Sequence, residues 1–215
     1  MNYFLPLLFM LALLTSCNNQ QSQSKSEAQT EDTVATVVKE NTQTAVKDAD
    51  SSQIELTKTI LKLLKSKNYK GLAQYIHPVK GIRLSPYGYV NVNEDMIIRA
   101  EQIDNMSKDP QTKVWGTYDG TGDTIQLSFK EYFDKFVYDV DFLNAEYLSV
   151  NRSLAQGNSL NNISEIYPGA TFTESYFSGF DKRYDGMDWR ALRLVFEKHA
   201  SKDYLVAVIH DQWTI

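Results

Sequence analysis

Between Asn18 and Asn68 the chain carries no aromatic residue and no glycine. That gap decides where a core can form. Every glycine lies at or beyond Gly71, and every aromatic outside the first seventeen residues lies at or beyond Tyr69. Turn formers and core-filling rings therefore begin together. The stretch from Gln53 to Ile215 suits one compact domain with a full core, and it shows no internal repeat.

From Asn18 to Ser52 the composition is rich in Asn, Gln, Ser, Thr, Lys and acid, with three lysines and six carboxylates. Such a segment buries too little apolar surface to offset its ordering entropy. The expectation is a disordered tether over residues 17–52, with an r.m.s. reach of roughly 30–35 Å. A helix around Val34 to Val46 is the alternative.

Ahead of the tether, Tyr3 to Leu14 form an apolar run interrupted only by Pro6. A membrane-spanning helix needs about 20 residues, so the run matches the h-region of a signal peptide instead. Leu14-Thr15-Ser16-Cys17 follows it and resembles the bacterial lipobox. The resemblance implies a signal peptide over residues 1–16 and an acylated N-terminus at Cys17. No Lys or Arg precedes the run, which departs from the usual pattern. The implied address is the cell envelope, with the domain outside the cytoplasm and anchored through lipid on Cys17. The outer membrane is favoured because Asn18 is not aspartate. Two or three acyl chains hold a protein far better than one.

Cys17 is the sole cysteine, so a disulfide framework and a thiolate-rich zinc site are excluded. A formal charge of -5 argues against a nucleic-acid partner.

Within 53–215, Ile54, Thr57, Leu61 and Leu64 recur at helical spacing. A second helix is expected from Asn68 to Ile76, stopped by His77-Pro78, and a third from Asn93 through Met106. Lys113 to Leu127 reads as a hairpin around Asp119-Gly120-Thr121-Gly122-Asp123. Ser128 and Glu131 match a capping box for a fourth helix. Thr171–Phe180, Leu192–Lys198 and Tyr204–Ile215 are rich in β-branched and aromatic residues and read as strands.

This order is α+β, with N-terminal helices packed on a curved antiparallel sheet. Two leading helices, a His-Pro stop and a closing long hairpin resemble the NTF2-like (cystatin-like) cone. The segments His77-Pro78-Val79-Lys80-Gly81-Ile82-Arg83-Leu84-Ser85-Pro86-Tyr87, Trp115–Gly120, Gly186–Trp189 and Ile209–Ile215 also resemble a group of bacterial secreted and lipoprotein domains. That resemblance implies a fold and an address but names no reaction.

No phosphate loop, nucleophile elbow or His-Glu-x-x-His motif is present, and no cofactor or metal is expected. Asp119–Asp123 lacks the ligand spacing and closing glutamate of a calcium loop. His77 and His210 are the acid–base candidates. Adjacent strand residues point to opposite faces, so His210 cannot pair with Asp211 and would need Asp139 or Asp188. The alternative is structural: His77 fixing a helix end, and His210 bonding across the sheet. Asp134, Asp139 and Asp141 are placed to meet near the end of the fourth helix. Tyr87, Tyr89, Trp115, Tyr118 and Trp189 lie near turns, as pocket walls or as core. Arg83 suits a carboxylate or phosphate, or pairs with a surface acid. The candidate ligand set is His77, Arg83, Tyr87, Trp115, Tyr118 and His210. The expected role is binding a small molecule or an envelope protein; the alternative is a small hydrolase using a His/Asp pair.

Overall fold

The computed structural model describes residues 35–155, 157 and 160–214, with side chains from residue 50 onward. Cys17, the expected signal peptide and the expected tether up to residue 34 lie outside the described residues, as does Ile215. Contacts divide the chain into Met1–Glu40 and Asn41–Ile215. Of the first unit only the opening turns of a helix are described; the architecture below belongs to the second.

That helix, α1, runs Ala35–Lys65, so residues 35–52, expected as tether, are helical and residue 53 falls inside an element. Gln53, Thr57, Ile60, Leu61 and Leu64 form its buried face, the i, i+4, i+7 pattern of one stripe. The Thr57 and Thr173 hydroxyls meet at 2.9 Å and tie the stripe to the sheet. Helix α2 is Tyr69–Ala73, and the Asn68 side chain caps it by accepting from the Gly71 N–H.

Residues Tyr75 to His77 then run along the final strand, with the His77 N–H donating to the Leu205 carbonyl at 3.0 Å. Strand β1 (Ile82–Ser85) follows. Gly81 allows this entry: its φ is +75° and an added Cβ would lie 2.7 Å from the Ile98 carbonyl oxygen.

The helix expected from Asn93 to Met106 is instead β2 (Met96–Ile98) followed by a single turn, α3 (Ile103–Met106). Where a helix cap was expected, the Asn91 side chain accepts from the Asn93 N–H at 3.1 Å in an Asx turn, and the Met-Ile-Ile run pairs with β1, which makes it a strand.

Strands β3 (Lys113–Thr117) and β4 (Thr124–Leu127) form the expected hairpin as a separate two-stranded sheet. Helix α4 (Phe129–Phe136) carries the full Ser128–Glu131 capping box and buries Phe129, Tyr132, Phe133 and Phe136.

The main sheet has six strands in the order β2-β1-β8-β7-β6-β5, with β5 Tyr147–Val150, β6 Thr171–Phe177, β7 Arg190–His199 and β8 Lys202–Gln212. It is mixed, not wholly antiparallel, because β1 pairs with β8 in parallel. A register shift between Val195 and Phe196 bends the β7–β8 pair. Leu192, Leu194, Phe196 and Val208 join the helices in one core cluster. Val195, Ala207 and Ile209 join a second with Ile163 and Tyr167 of α5 (Ile163–Ile166) and its end. Both faces are thus covered, which is why Leu205–Ile209 is continuously apolar and buried. The class is mixed α+β with a curved sheet and few helices. No helix among the described residues is long and apolar enough to cross a membrane.

Candidate functional site

Where β1 ends, the chain turns outward at Pro86 and returns to β2 through residues 86–95. This loop faces the β3–β4 turn, and between them lies a cleft of about 610 Å³. Tyr87, Tyr89, Asn91, Glu94 and Asp95 form one wall, Thr117 to Gly122 the other, with Leu160 and Thr214 at the rim.

Each wall is held in place locally. The Thr214 hydroxyl donates to Asp119 Oδ2 at 2.5 Å, joining the end of the chain to the hairpin turn. The Tyr118 N–H donates to the Asp123 carbonyl at 2.7 Å and closes that turn. Lys135 Nζ stands 4.5 Å over the Tyr118 ring and donates to its hydroxyl at 3.2 Å.

On the opposite wall, Asp95 accepts from the Ser85 hydroxyl and from the Asn91 N–H, the latter at 2.9 Å. Burial pushes the Asp95 carboxyl up to about 6, against the pull of those hydrogen bonds and of Arg83. Burial also raises the Tyr87 phenol, opposed by a backbone hydrogen bond at Asp119.

Of the candidate ligand set, Tyr87 and Tyr118 line the cleft, as does Tyr89 from the ring candidates near turns; His77, Arg83, Trp115 and His210 do not. Trp115 is fully buried, stacks on Tyr132 at 4.2 Å and donates its indole N–H to the Leu127 carbonyl; it is core. Arg83 works from behind the wall. It donates to the Asp95 carbonyl at 3.1 Å, the Val92 carbonyl at 3.3 Å and the Tyr167 hydroxyl at 3.2 Å, so its partners are backbone and phenol rather than a surface acid. It borders a smaller hollow of about 250 Å³ with Lys80, Ile97, Tyr167 and Val206.

His77 is buried and its Nδ1 accepts from the Val79 and Lys80 N–H groups at 3.1 and 3.0 Å. It stabilises the turn into β1. Burial, then the neighbouring His199, pushes its pKa down.

His210 has no solvent exposure. Its Nε2 lies 3.2 Å from Asp139 Oδ1 and its Nδ1 3.3 Å from the Pro86 carbonyl. Asp139, one of the two carboxylates open to it from sequence, is therefore its partner, and Arg190 donates to the other Asp139 oxygen at 2.9 Å. Burial works against the Asp139 charge, but His210 and Arg190 hold the carboxyl below its usual range. Phe136 and Phe142 edge onto the imidazole, and the pair does not line the cleft.

The three acids near the end of α4 do not converge. Asp134 pairs with Lys67 and Lys130, Asp139 with Arg190, and Asp141 with Lys65. No group of three metal-ligating side chains occurs among the described residues.

Sequence reasoning missed Asn91, Glu94, Asp95, Leu160 and Thr214 as cleft residues, since only folding brings three loops together. It also missed a buried ionic cluster on the opposite side of the sheet. Arg193 Nη2 donates to Asp211 at 2.9 Å and Arg193 Nε to Glu174. Glu174 accepts further from the Ser153 hydroxyl and the Ala155 N–H, at 2.9 and 2.8 Å. A lone arginine inside the apolar run Ala191–Phe196 was its one sequence signal.

No protein-family model and no curated protein matches the chain. Among solved structures, an NTF2-like designed protein is similar at 13% identity and a TM-score of 0.30, over 74% of this chain and 96% of that one.

Proposed function

We propose that this chain is a lipid-anchored protein of the bacterial cell envelope whose domain, an NTF2-like cone in topology, binds a small molecule in the cleft between residues 86–95 and the β3–β4 turn. The cleft carries the reading: it places Tyr87, Tyr89 and Tyr118 rings beside polar side chains in about 610 Å³, within the size range of small-molecule sites. The anchor rests on Leu14–Cys17 and the apolar run before it. Replacing Cys17 with Ala releases the protein into the soluble fraction; retention on membranes would remove the anchor. Native mass spectrometry of the mature protein from its own cells is expected to show excess mass that leaves on denaturation. A bare mass counts against a resident ligand and turns attention to an envelope protein as partner.

A hydrolase reading has one observation in its favour, the His210–Asp139 contact at 3.2 Å. A general base must reach its substrate. His210 is wholly buried and already faces two acceptors, so the binding reading is preferred. Loss of an esterase or peptidase activity in His210→Gln, with the fold intact, would reverse that preference.

A further inference from the structure

We propose that the cleft selects small organic cations, ligands carrying a protonated amine or quaternary ammonium next to an apolar body; this rests on the reading of the cleft as a ligand site. The first ground is the charge of its walls. Glu94, Asp95 and Asp119 line it, and no Lys, Arg or His does. These carboxylates, like Glu131, Glu146 and Asp188, stand apart from six ion-paired aspartates. Asp104, Asp109, Asp134, Asp139, Asp141 and Asp181 each pair with a Lys or Arg. Among the described residues the three cleft acids make hydrogen bonds only to hydroxyl and backbone N–H groups. A cleft lined by carboxylates concentrates cations, opposed in part by Lys135 at Tyr118 and Arg83 behind Asp95.

The second ground is the rings. A cation over a tyrosine face gains roughly 0.5–2 kcal/mol, more as water is excluded. Lys135 already occupies the Tyr118 ring at 4.5 Å, so Tyr87 and Tyr89 are the wall rings left for a ligand cation. Exposed Leu160 and half-exposed Tyr89 give the rim an apolar character.

The test is titration of the full-length chain near neutral pH with benzylamine, benzyl alcohol and benzoate, probes of similar shape and different charge. Benzylamine is expected to bind about tenfold tighter than benzyl alcohol, and benzoate more weakly still. Glu94 is exposed, so Glu94→Gln leaves the fold intact; it should weaken benzylamine by about threefold and leave benzyl alcohol unchanged. Equal affinity for benzyl alcohol and benzylamine, or preference for benzoate, overturns the charge selectivity while leaving the cleft a ligand site. Benzylamine binding that survives both Glu94→Gln and Tyr87→Ala overturns the location. If none of the three probes binds, the reading of the cleft as a ligand site fails with the proposal.

Discussion

Arg193 reaches Asp211 at 2.9 Å, Nη2 to Oδ2, from one strand of the central hairpin to the next. Both side chains are almost wholly out of solvent, at 2% and 4% exposure, and Glu174 at 0% completes the cluster. One cation thus stands between two carboxylates. Burial pushes the Asp211 carboxyl up and Arg193 pulls it back. Glu174 in turn gathers the backbone of Leu154 and Ala155 onto the outer face of the sheet.

Removing the cation alone should therefore be the most damaging change. Arg193→Met leaves two buried carboxylates unpaired and is expected to cost about 3–5 kcal/mol in urea denaturation. Replacing all three, as Arg193→Met with Glu174→Gln and Asp211→Asn, removes every formal charge and should recover much of that loss. A triple variant as unstable as the single one would show that the cluster acts through packing.

Gly88, in the loop after β1, constrains the same cluster. A Cβ there would lie 2.4 Å from Asp211 Oδ2 and 2.8 Å from its Cγ. Asp211 cannot step aside without leaving Arg193. Gly88→Ala is expected to destabilise by about 1–3 kcal/mol. In an Asp211→Ala background the same change should cost at least about 1 kcal/mol less. Additive costs would mean the backbone relaxes instead.

How legible these features were depends on the distance in sequence over which they are built. The Ser128–Glu131 capping box, the Asn68 cap and the β3–β4 turn are local, and each was visible as a residue pattern. Met96-Ile97-Ile98 fits a helical stripe as well as a strand, and only pairing with Ile82–Leu84 decides for the strand. Alternation along β8 excluded a His210–Asp211 pair and left Asp139 or Asp188; choosing Asp139 required the α4 end to be folded against the sheet. The cleft was hidden because Asp95, Asp119 and Thr214 belong to three loops with no common spacing. Trp115 was ambiguous for a different reason: a tryptophan beside a glycine turn suits a pocket rim, and here its ring faces inward onto Tyr132.

Asp139 joins His210 to Arg190, and its stabilisation has a pH sign. Its folded pKa is depressed, so the contribution is present above the unfolded carboxylate value, about 3.9, and is lost as pH falls through the folded value. Asp139→Asn keeps the shape without the charge. It is expected to cost about 1–3 kcal/mol near neutral pH, with the gap to the parent narrowing below about pH 4. Urea titrations at several pH values check this, and a constant gap would locate the loss in geometry instead of charge.

Asp95 has the opposite sign. Its folded value is raised from 3.8 to about 6, so the folded state binds this proton more tightly than the unfolded chain does. Stability should rise as pH falls from above 6 towards 4, by roughly 3 kcal/mol for a shift of about two units. Arg83, Glu94, Tyr132 and Tyr167 are the charged or titratable groups coupled to it. Asp95→Asn removes the titration and should flatten that limb of the pH–stability curve. Asp95 also lines the cleft, so benzylamine affinity should fall between pH 7 and pH 5 in the parent and change less in Asp95→Asn. Matching pH profiles for parent and variant would assign the dependence to another group. A flattened stability curve with unchanged affinity would separate Asp95's role in the fold from any role in binding.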